Sequence, residues 1–301
     1  MGLFNLILQG IISGVVTGCV YALVALSLVI VYKSTDVVNF AGGELVMIGA
    51  YIGLLLLMWL DWPYVFIFLI TPMFTYALGL VFSRFALEKI NRKKTSSNTV
   101  LVSFVIATIA LSDMLKGIVR VIPFTEEVRR LPPLFSGPPI FLGDLVIQPQ
   151  DIVIVVVASI VMLMLWLLFG YTLVGKALRA TSQNERAASL IGIPVKSVKS
   201  AIWGLSATVA GIAGLLLAPK LLMTPDMGNM VMLAFAAAII GGFSSLPGCV
   251  VGGILLGIVQ NMVGIFISPQ AIAVTPFFVI MLVLLIRPQG FFDKTLTYKK
   301  V

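Results

Sequence analysis

The feature that most limits what this chain can become is the recurrence of apolar runs long enough to cross a lipid bilayer. They fall at about 5–32, 43–60, 63–83, 99–118, 151–170, 201–219, 230–243, 249–267 and 272–287 along the 301 residues. A hydrocarbon core about 30 Å thick takes roughly 20 residues of helix. In lipid the backbone has no water to bond, so a spanning segment is a helix or a strand of a closed barrel. Barrel strands read as roughly ten-residue segments of alternating polarity, and this sequence has none. The expectation is an all-α, polytopic integral membrane bundle of about eight to ten transmembrane helices, one domain over residues 1–301. The last three segments are short or Gly-rich, which predicts Gly-broken half-helices among the spans.

Composition agrees with a lipid solvent. Only 11% of the residues are charged and 60% are hydrophobic, whereas a soluble domain carries about 25% charged residues. The stretch Met1–Val31 has no basic leader region and is apolar for too long to be a signal peptide, so it reads as a retained first span. Cys19 and Cys249 both lie inside apolar runs, where they act as small buried hydrophobes. The net charge of +8 fits either nucleic acid or membrane orientation. In a chain this apolar it reports orientation, with lipid and not nucleic acid as the surrounding partner.

Three basic clusters set that orientation. Arg84, Lys89, Arg92, Lys93 and Lys94 crowd one connection; Lys176, Arg179, Arg186, Lys196 and Lys199 crowd a second; Lys294, Lys299 and Lys300 end the chain. The positive-inside rule puts all three in the cytoplasm. Nine crossings satisfy that arrangement, with Lys33 inside, the uncharged N-terminus outside and the C-terminus cytoplasmic. Residues 119–150 then face outward. That loop is rich in proline (Pro123, Pro132, Pro133, Pro138, Pro139, Pro149), and Ile140 to Ile147 carries a Gly143-Asp144 turn between apolar residues, a short hairpin. It is either a rigid cap or a docking surface for an external partner.

Glycines recur where helices must touch. Gly10, Gly14 and Gly18 repeat every four residues, and Gly49/Gly53 and Gly248/Gly252 repeat the spacing. Small residues on one helix face let backbones approach closely in lipid, so these positions are expected to pack helices within the subunit.

Little in the chain points to catalysis. It has no histidine, no visible metal cluster and no expected cofactor. Residues 170–176, GYTLVGK, match the first part of a P-loop, but Ala177 follows where magnesium chemistry needs Ser or Thr. The segment also follows a membrane helix instead of a strand, so the chain is not expected to hydrolyse nucleotide. The loop at 175–200 is more informative. From Gly175 to Pro194 it is polar and helix-prone, with Thr181 or Ser182 able to cap a helix and Glu185 three residues beyond Ser182, the spacing of a capping box. Ala187, Ala188, Leu190 and Ile191 form a small apolar patch, and Gly192 with Pro194 ends the helix. Such a helix suits insertion into a cleft on a partner; an ordinary connection is the alternative.

Arg186 to Gly192 (RAASLIG) resembles the EAA loop of ABC importer permeases, which places two alanines four residues before a glycine; here the glutamate stands one place early, at Glu185. Tyr32 to Tyr51 (YKSTDVVNFAGGELVMIGAY) resembles the start of the branched-chain amino acid permeases. Ala234 to Gly253 (AFAAAIIGGFSSLPGCVVGG) resembles their Gly-rich later segment, and Leu284 to Phe291 (LLIRPQGF) their C-terminal signature. Gly43 stands where members of that family commonly carry another polar residue, often histidine. The segments occur in the family's order over nearly the whole chain. The resemblance implies a bacterial inner-membrane permease, the smaller of two related permease subunits. It also implies two cytoplasmic ATPase subunits that bind the loop at 175–200, through Glu185, Arg186, Ala187, Ala188, Leu190, Gly192 and Pro194. An extracytoplasmic binding protein would deliver the substrate.

Polar residues within or beside the spans are the pathway candidates, because ionisable groups in a membrane usually face a cavity or a partner. They are Asn39, Gly42, Gly43 and Glu44 at the start of the second span, Asp113 in the fourth, and Gln260 and Asn261 in the eighth. Asp113 and Lys116 are spaced to pair with each other. Asn39 and Glu44 are equally suited to fixing helix ends around Gly42 and Gly43. The glycine pairs Gly42/Gly43 and Gly241/Gly242 each sit beside an apolar span, as the breaks of repeated transporter halves do. The reading is an importer permease for branched-chain or similar amino acids. Its rivals are a urea or short-amide permease, an ion-coupled secondary transporter using Glu44 or Asp113, and, last, an intramembrane enzyme.

Overall fold

Apolar residues on all sides of a helix are tolerated where lipid and protein both replace water, and the chain is built that way. The computed structural model describes residues 2–60, 62–92, 97–122, 130–135, 137–287 and 289–292. Lys93, Lys94, Pro123, Pro288, Lys294, Lys299 and Lys300 lie outside the described residues. The helices are α1 (Leu3–Thr35), α2 (Gly42–Leu60), α3 (Tyr64–Phe82), α4 (Glu88–Arg92), α5 (Ser97–Val121), α6 (Pro149–Tyr171), α7 (Leu173–Gln183), α8 (Glu185–Leu190), α9 (Val195–Leu217), α10 (Val231–Gly241), α11 (Leu246–Phe266) and α12 (Ala271–Ile286). A π turn, Ser83–Leu87, joins α3 to α4. Among the described residues seven helical stretches are long and apolar enough to cross a membrane: Leu3–Thr35, Gly42–Leu60, Tyr64–Ile90, Thr99–Val121, Pro149–Tyr171, Val195–Leu217 and Leu246–Phe266. Two shorter apolar helices, Met227–Gly241 and Ala271–Ile286, cover the remaining apolar runs. The molecule is a polytopic helical membrane protein.

Two compact units divide the described residues: Met1–Val29, Pro132–Met162 and Met232–Val301 make the first, Ile30–Leu131 and Leu163–Val231 the second. In the first, α1 lies against α11 through glycine. A Cβ added at Gly14 or Gly18 would stand 2.6 Å from the Cα of Ile258 or Ile254, so backbone meets backbone where lipid supplies no hydrophobic drive. Strands β1 (Ile140–Leu142) and β2 (Leu145–Ile147) pair antiparallel around Gly143, whose φ of +64° suits the turn. The hairpin is tied to the start of α1: Asn5 Nδ2 donates to Asp144 Oδ2 at 2.7 Å, and Gln9 exchanges two bonds with the backbone of Val146 at 3.0 and 3.1 Å.

In the second unit α9 is the central helix, with α2 and α3 packed on it. Gly49 abuts Gly211, Gly214 abuts Val46, and Gly79 abuts Trp203 and Gly204. Pro72 removes a backbone donor inside α3; its own carbonyl accepts from Thr75 at 3.1 Å and from Thr208 of α9 at 3.3 Å. α1 ends at Asp36, a non-glycine residue at φ +54°, a conformation that aspartate's short polar side chain tolerates.

Candidate functional site

The loop at 175–200 is held at both ends. Thr172 caps α7 by accepting from Gly175 N–H at 3.3 Å, and the Arg179 guanidinium donates to Phe169 O. The helix that follows begins differently from the capping box predicted at Ser182. α7 continues through Gln183, so Thr181 and Ser182 have helical backbone and their hydroxyls donate to Ala177 O and Arg179 O at 2.7 and 3.1 Å. A cap needs a residue outside the helix. That residue is Asn184, extended at φ −154°, whose Oδ1 accepts from Ala187 N–H at 3.0 Å.

The end of α8 is closed by backbone alone. Ile193 N–H reaches Ala188 O and Gly192 N–H reaches Ser189 O, both at 3.1 Å, with Gly192 at φ +87°. This is the paired 6→1 and 5→2 pattern that glycine permits after a helix, and Pro194 then leads into α9. Glu185 points back to Lys199 at 2.6 Å, and Ala188 is buried. The outer surface is left to Arg186, Ala187, Leu190 and Ile191, the last two 87% and 76% exposed. A groove of about 1250 Å³, part of it open to solvent, runs beside it, bounded by Glu185, Arg186, Ser189 and Pro194.

The polar residues at the start of α2 sit deep in the second unit. Thr35 of α1 shares a pocket wall with Phe104 of α5, whereas Glu44 Oε1 lies 3.2 Å from Lys116 Nζ on the same helix. Twelve residues of α-helix separate those two α5 positions, about 18 Å. The chain between Thr35 and Glu44 can cover that distance when extended, so α2 begins inside the bundle and not at the level where α1 ends. Asn39 prepares the helix: its Oδ1 accepts from Ala41 N–H at 3.1 Å and its carbonyl from Gly42 N–H at 3.2 Å. Gly43 fits because the Gly228 carbonyl lies where a Cβ would be, and Gly228 in turn leaves room for the Glu44 carboxylate. Asn39 is 0% and Glu44 2% exposed, and Asn39 Nδ2 and Glu44 Oε2 have no hydrogen-bond partner among the described residues. An ion pair of Asp113 with Lys116 does not form. Lys116 faces Glu44 and Asp113 lies exposed on α5, because the long-range carboxylate is buried and unpaired otherwise.

In the first unit Gln260 is buried and donates to Ile272 O at 3.0 Å, while its Oε1 has no partner among the described residues; Asn261 bonds back to Gly257 O at 2.9 Å. Gly10 stands against Met262, Gly53 of the second unit against Leu215, and Gly248 and Gly252 of the first against Gly241 and the Ala237 carbonyl. Sequence reasoning passed over Asn184, Gly211, Gly214 and Gly228. It also passed over Gly253 and Gly257, whose four-residue spacing on α11 carried the same packing signal as Gly14 and Gly18.

A multi-pass helical bundle with glycine-packed spans, polar groups at a helix start inside it and a rigid solvent-facing helical loop defines a membrane permease. The chain belongs to the family described as branched-chain amino acid transport system / permease component, whose sequence profile matches residues 10–286. It is 31% identical to the high-affinity branched-chain amino acid transport system permease protein LivH of Salmonella typhimurium, over 95% of this chain and 96% of that one. It is 30% identical to the corresponding protein BraD of Pseudomonas aeruginosa, over 94% of each. A probable branched-chain amino acid transport permease of Methanocaldococcus jannaschii is 28% identical over 88% of this chain and 82% of that one. PsaBC from Streptococcus pneumoniae, solved in complex with a Fab, aligns with a TM-score of 0.46 at 17% identity, over 95% of this chain and 92% of that chain.

Proposed function

We propose that this chain is the transmembrane permease subunit of an ATP-driven, binding-protein-dependent importer of leucine, isoleucine, valine or similar amino acids, and forms half of the translocation pathway. The observation that carries the reading is the family match over residues 10–286; the near full-length relatives, named as high-affinity branched-chain amino acid permeases, supply the cargo class. Energy enters through the loop at 175–200. A capped six-residue helix presenting Ala187, Leu190 and Ile191 outward suits a cleft on an ATPase subunit, since exposed apolar side chains on a rigid support act as interface anchors. A second related permease completes the pathway, two ATPase subunits bind the cytoplasmic loops, and a binding protein delivers cargo from outside.

The basic clusters support a cytoplasmic loop in a bacterial inner membrane. The bond between Asn5 and Asp144 supports an N-terminus on the same outward side as the 119–150 loop. Within the pathway we favour Asn39, Gly42, Gly43 and Glu44, which stand at a helix start within the bundle. Asp113, Gln260 and Asn261 are secondary candidates. ATP hydrolysis measures the reading directly: the chain co-purified with its ATPase and permease partners should hydrolyse ATP faster when leucine-loaded binding protein is added. A chain that retains no ATPase subunit, or a complex indifferent to the loaded binding protein, would overturn it.

A further inference from the structure

α5 carries an ionisable side chain on a surface where lipid is the default solvent. Its apolar span runs from Thr99 to Val121. Asp113 stands three residues beyond the midpoint at Ala110, about 5 Å along the helix axis. Thr108, Leu111, Leu115 and Val119 are the buried face of α5. At 3.6 residues per turn Asp113 lies on the opposite face. It is exposed and makes no hydrogen bond or ion pair among the described residues. A carboxylate that deep in a membrane is costly and faces water or a protein partner. Val102 and Ile106 share its face and are apolar and exposed, which suits a protein partner better than a water-filled channel.

Gly117 lies on the same face, one turn beyond Asp113, and a Cβ there would meet nothing within 4 Å. Gly14, Gly18 and Gly49 differ, because a Cβ on any of them would strike the backbone of a neighbouring helix. Glycine weakens a helix interior, and nothing inside this chain requires it at 117. With exposed Ala110 one turn before the carboxylate, it leaves small residues on both sides of Asp113, a surface that another helix can approach closely. A second copy of this chain is a poor occupant. Two copies in one membrane are related by an axis along its normal, so residues at equal depth meet and carboxylate would oppose carboxylate. The bases that follow on α5 are already held, Lys116 by Glu44 at 3.2 Å and Arg120 by Asp226 at 3.6 Å.

We propose that the open face of α5 seats a transmembrane helix of a second, non-identical permease, and that Asp113 selects this partner by pairing with an arginine or lysine at the same depth. The choice is made twice over: the charge is neutralised in the mixed pair and opposed by its like in a pair of identical chains. The inference rests on the proposed importer, from which it takes the second permease. Asp113 then belongs to the seam between the two permeases and not to a cargo contact.

The test uses the complex purified through a tag on this chain from cells that also make its second permease and ATPases. A photoreactive benzoylphenylalanine placed at Ile106 in the otherwise unchanged chain should crosslink to one span of the second permease, and that span should carry a lysine or arginine near the crosslinked peptide. Asp113→Lys should lower the second permease recovered with the tagged chain about tenfold. Changing the facing base to aspartate should lower it as much, and the two changes together should restore it. Crosslinks to lipid alone or to another copy of this chain overturn the proposal, and so does a crosslinked span with no base at that level. These outcomes leave Asp113 in place, so they stand even where Asp113→Lys fails to insert. Undiminished recovery in either single variant, or no recovery in the combined one, also overturns it. A wild-type chain recovered with no second permease overturns the importer reading together with this one; an intact complex whose Ile106 crosslinks elsewhere overturns this one alone.

Discussion

Replacing Lys116 with methionine asks how the start of α2 is held. Lys116 Nζ stands 3.2 Å from Glu44 Oε1, and Glu44 is 2% exposed. At that separation the Coulomb attraction is about 5 kcal/mol for an effective dielectric of about 20. The lysine side chain is 24% exposed, so solvent screens part of it. Removing one partner of a fully buried pair costs about 3–5 kcal/mol, and this pair is buried only on the Glu44 side. The expected loss is therefore about 2–3 kcal/mol, read as a lower midpoint in a denaturant titration of detergent-solubilised protein. Adding Glu44→Gln to Lys116→Met should recover most of the loss, because no charge is then stranded. A loss below about 0.5 kcal/mol for Lys116→Met, the level of an ordinary surface substitution, would refute the buried pair and with it the account of why α2 starts inside the bundle.

Other substitutions separate packing from docking. Gly14→Val and Gly18→Val push side chains into the backbone at Ile258 and Ile254 and should abolish a monodisperse peak in size-exclusion chromatography. Asn184→Ala removes the acceptor of Ala187 N–H, a change of about 1 kcal/mol that should speed proteolysis within residues 184–193. Gly192→Ala forces a Cβ into φ +87°, about 1–2 kcal/mol, and should open the same loop in the same assay. Leu190→Asp alters a side chain 87% exposed, so stability should stay within about 0.5 kcal/mol of wild type while the amount of co-purified ATPase falls.

The spans were legible because lipid imposes a simple condition on sequence. Every apolar run became helix; of the three segments expected to be short or Gly-rich, two are the short helices α10 and α12, whereas the Gly-rich 249–267 runs unbroken as α11 over Leu246–Phe266. The hairpin was legible for a similar reason: Gly143-Asp144 between apolar residues leaves few alternatives. The capping box at Ser182 failed because two polar residues two places apart, Ser182 and Asn184, can each cap the next helix, and α7 runs through Gln183 so that only Asn184 lies outside it. That local energy difference is smaller than sequence patterns resolve. The partner of Lys116 was illegible for a different reason. Asp113 is three residues away and Glu44 seventy-two, and only the packing of α2 beside α5 makes the distant carboxylate the near one. Gly228 and Gly211 belong with it: each is small because something from elsewhere in the chain, Glu44 or Thr75, occupies the space a side chain would need.

Leucine uptake into proteoliposomes containing this chain, its second permease, the ATPases, the binding protein and internal ATP tests the central claim most directly, run beside a variant carrying Ala187→Glu and Gly192→Asp. The account predicts uptake that needs ATP and is lost in the variant while the variant still inserts and assembles as a stable membrane protein. Leucine movement by this chain alone, driven by an ion gradient and indifferent to ATP and to the loop, would contradict it.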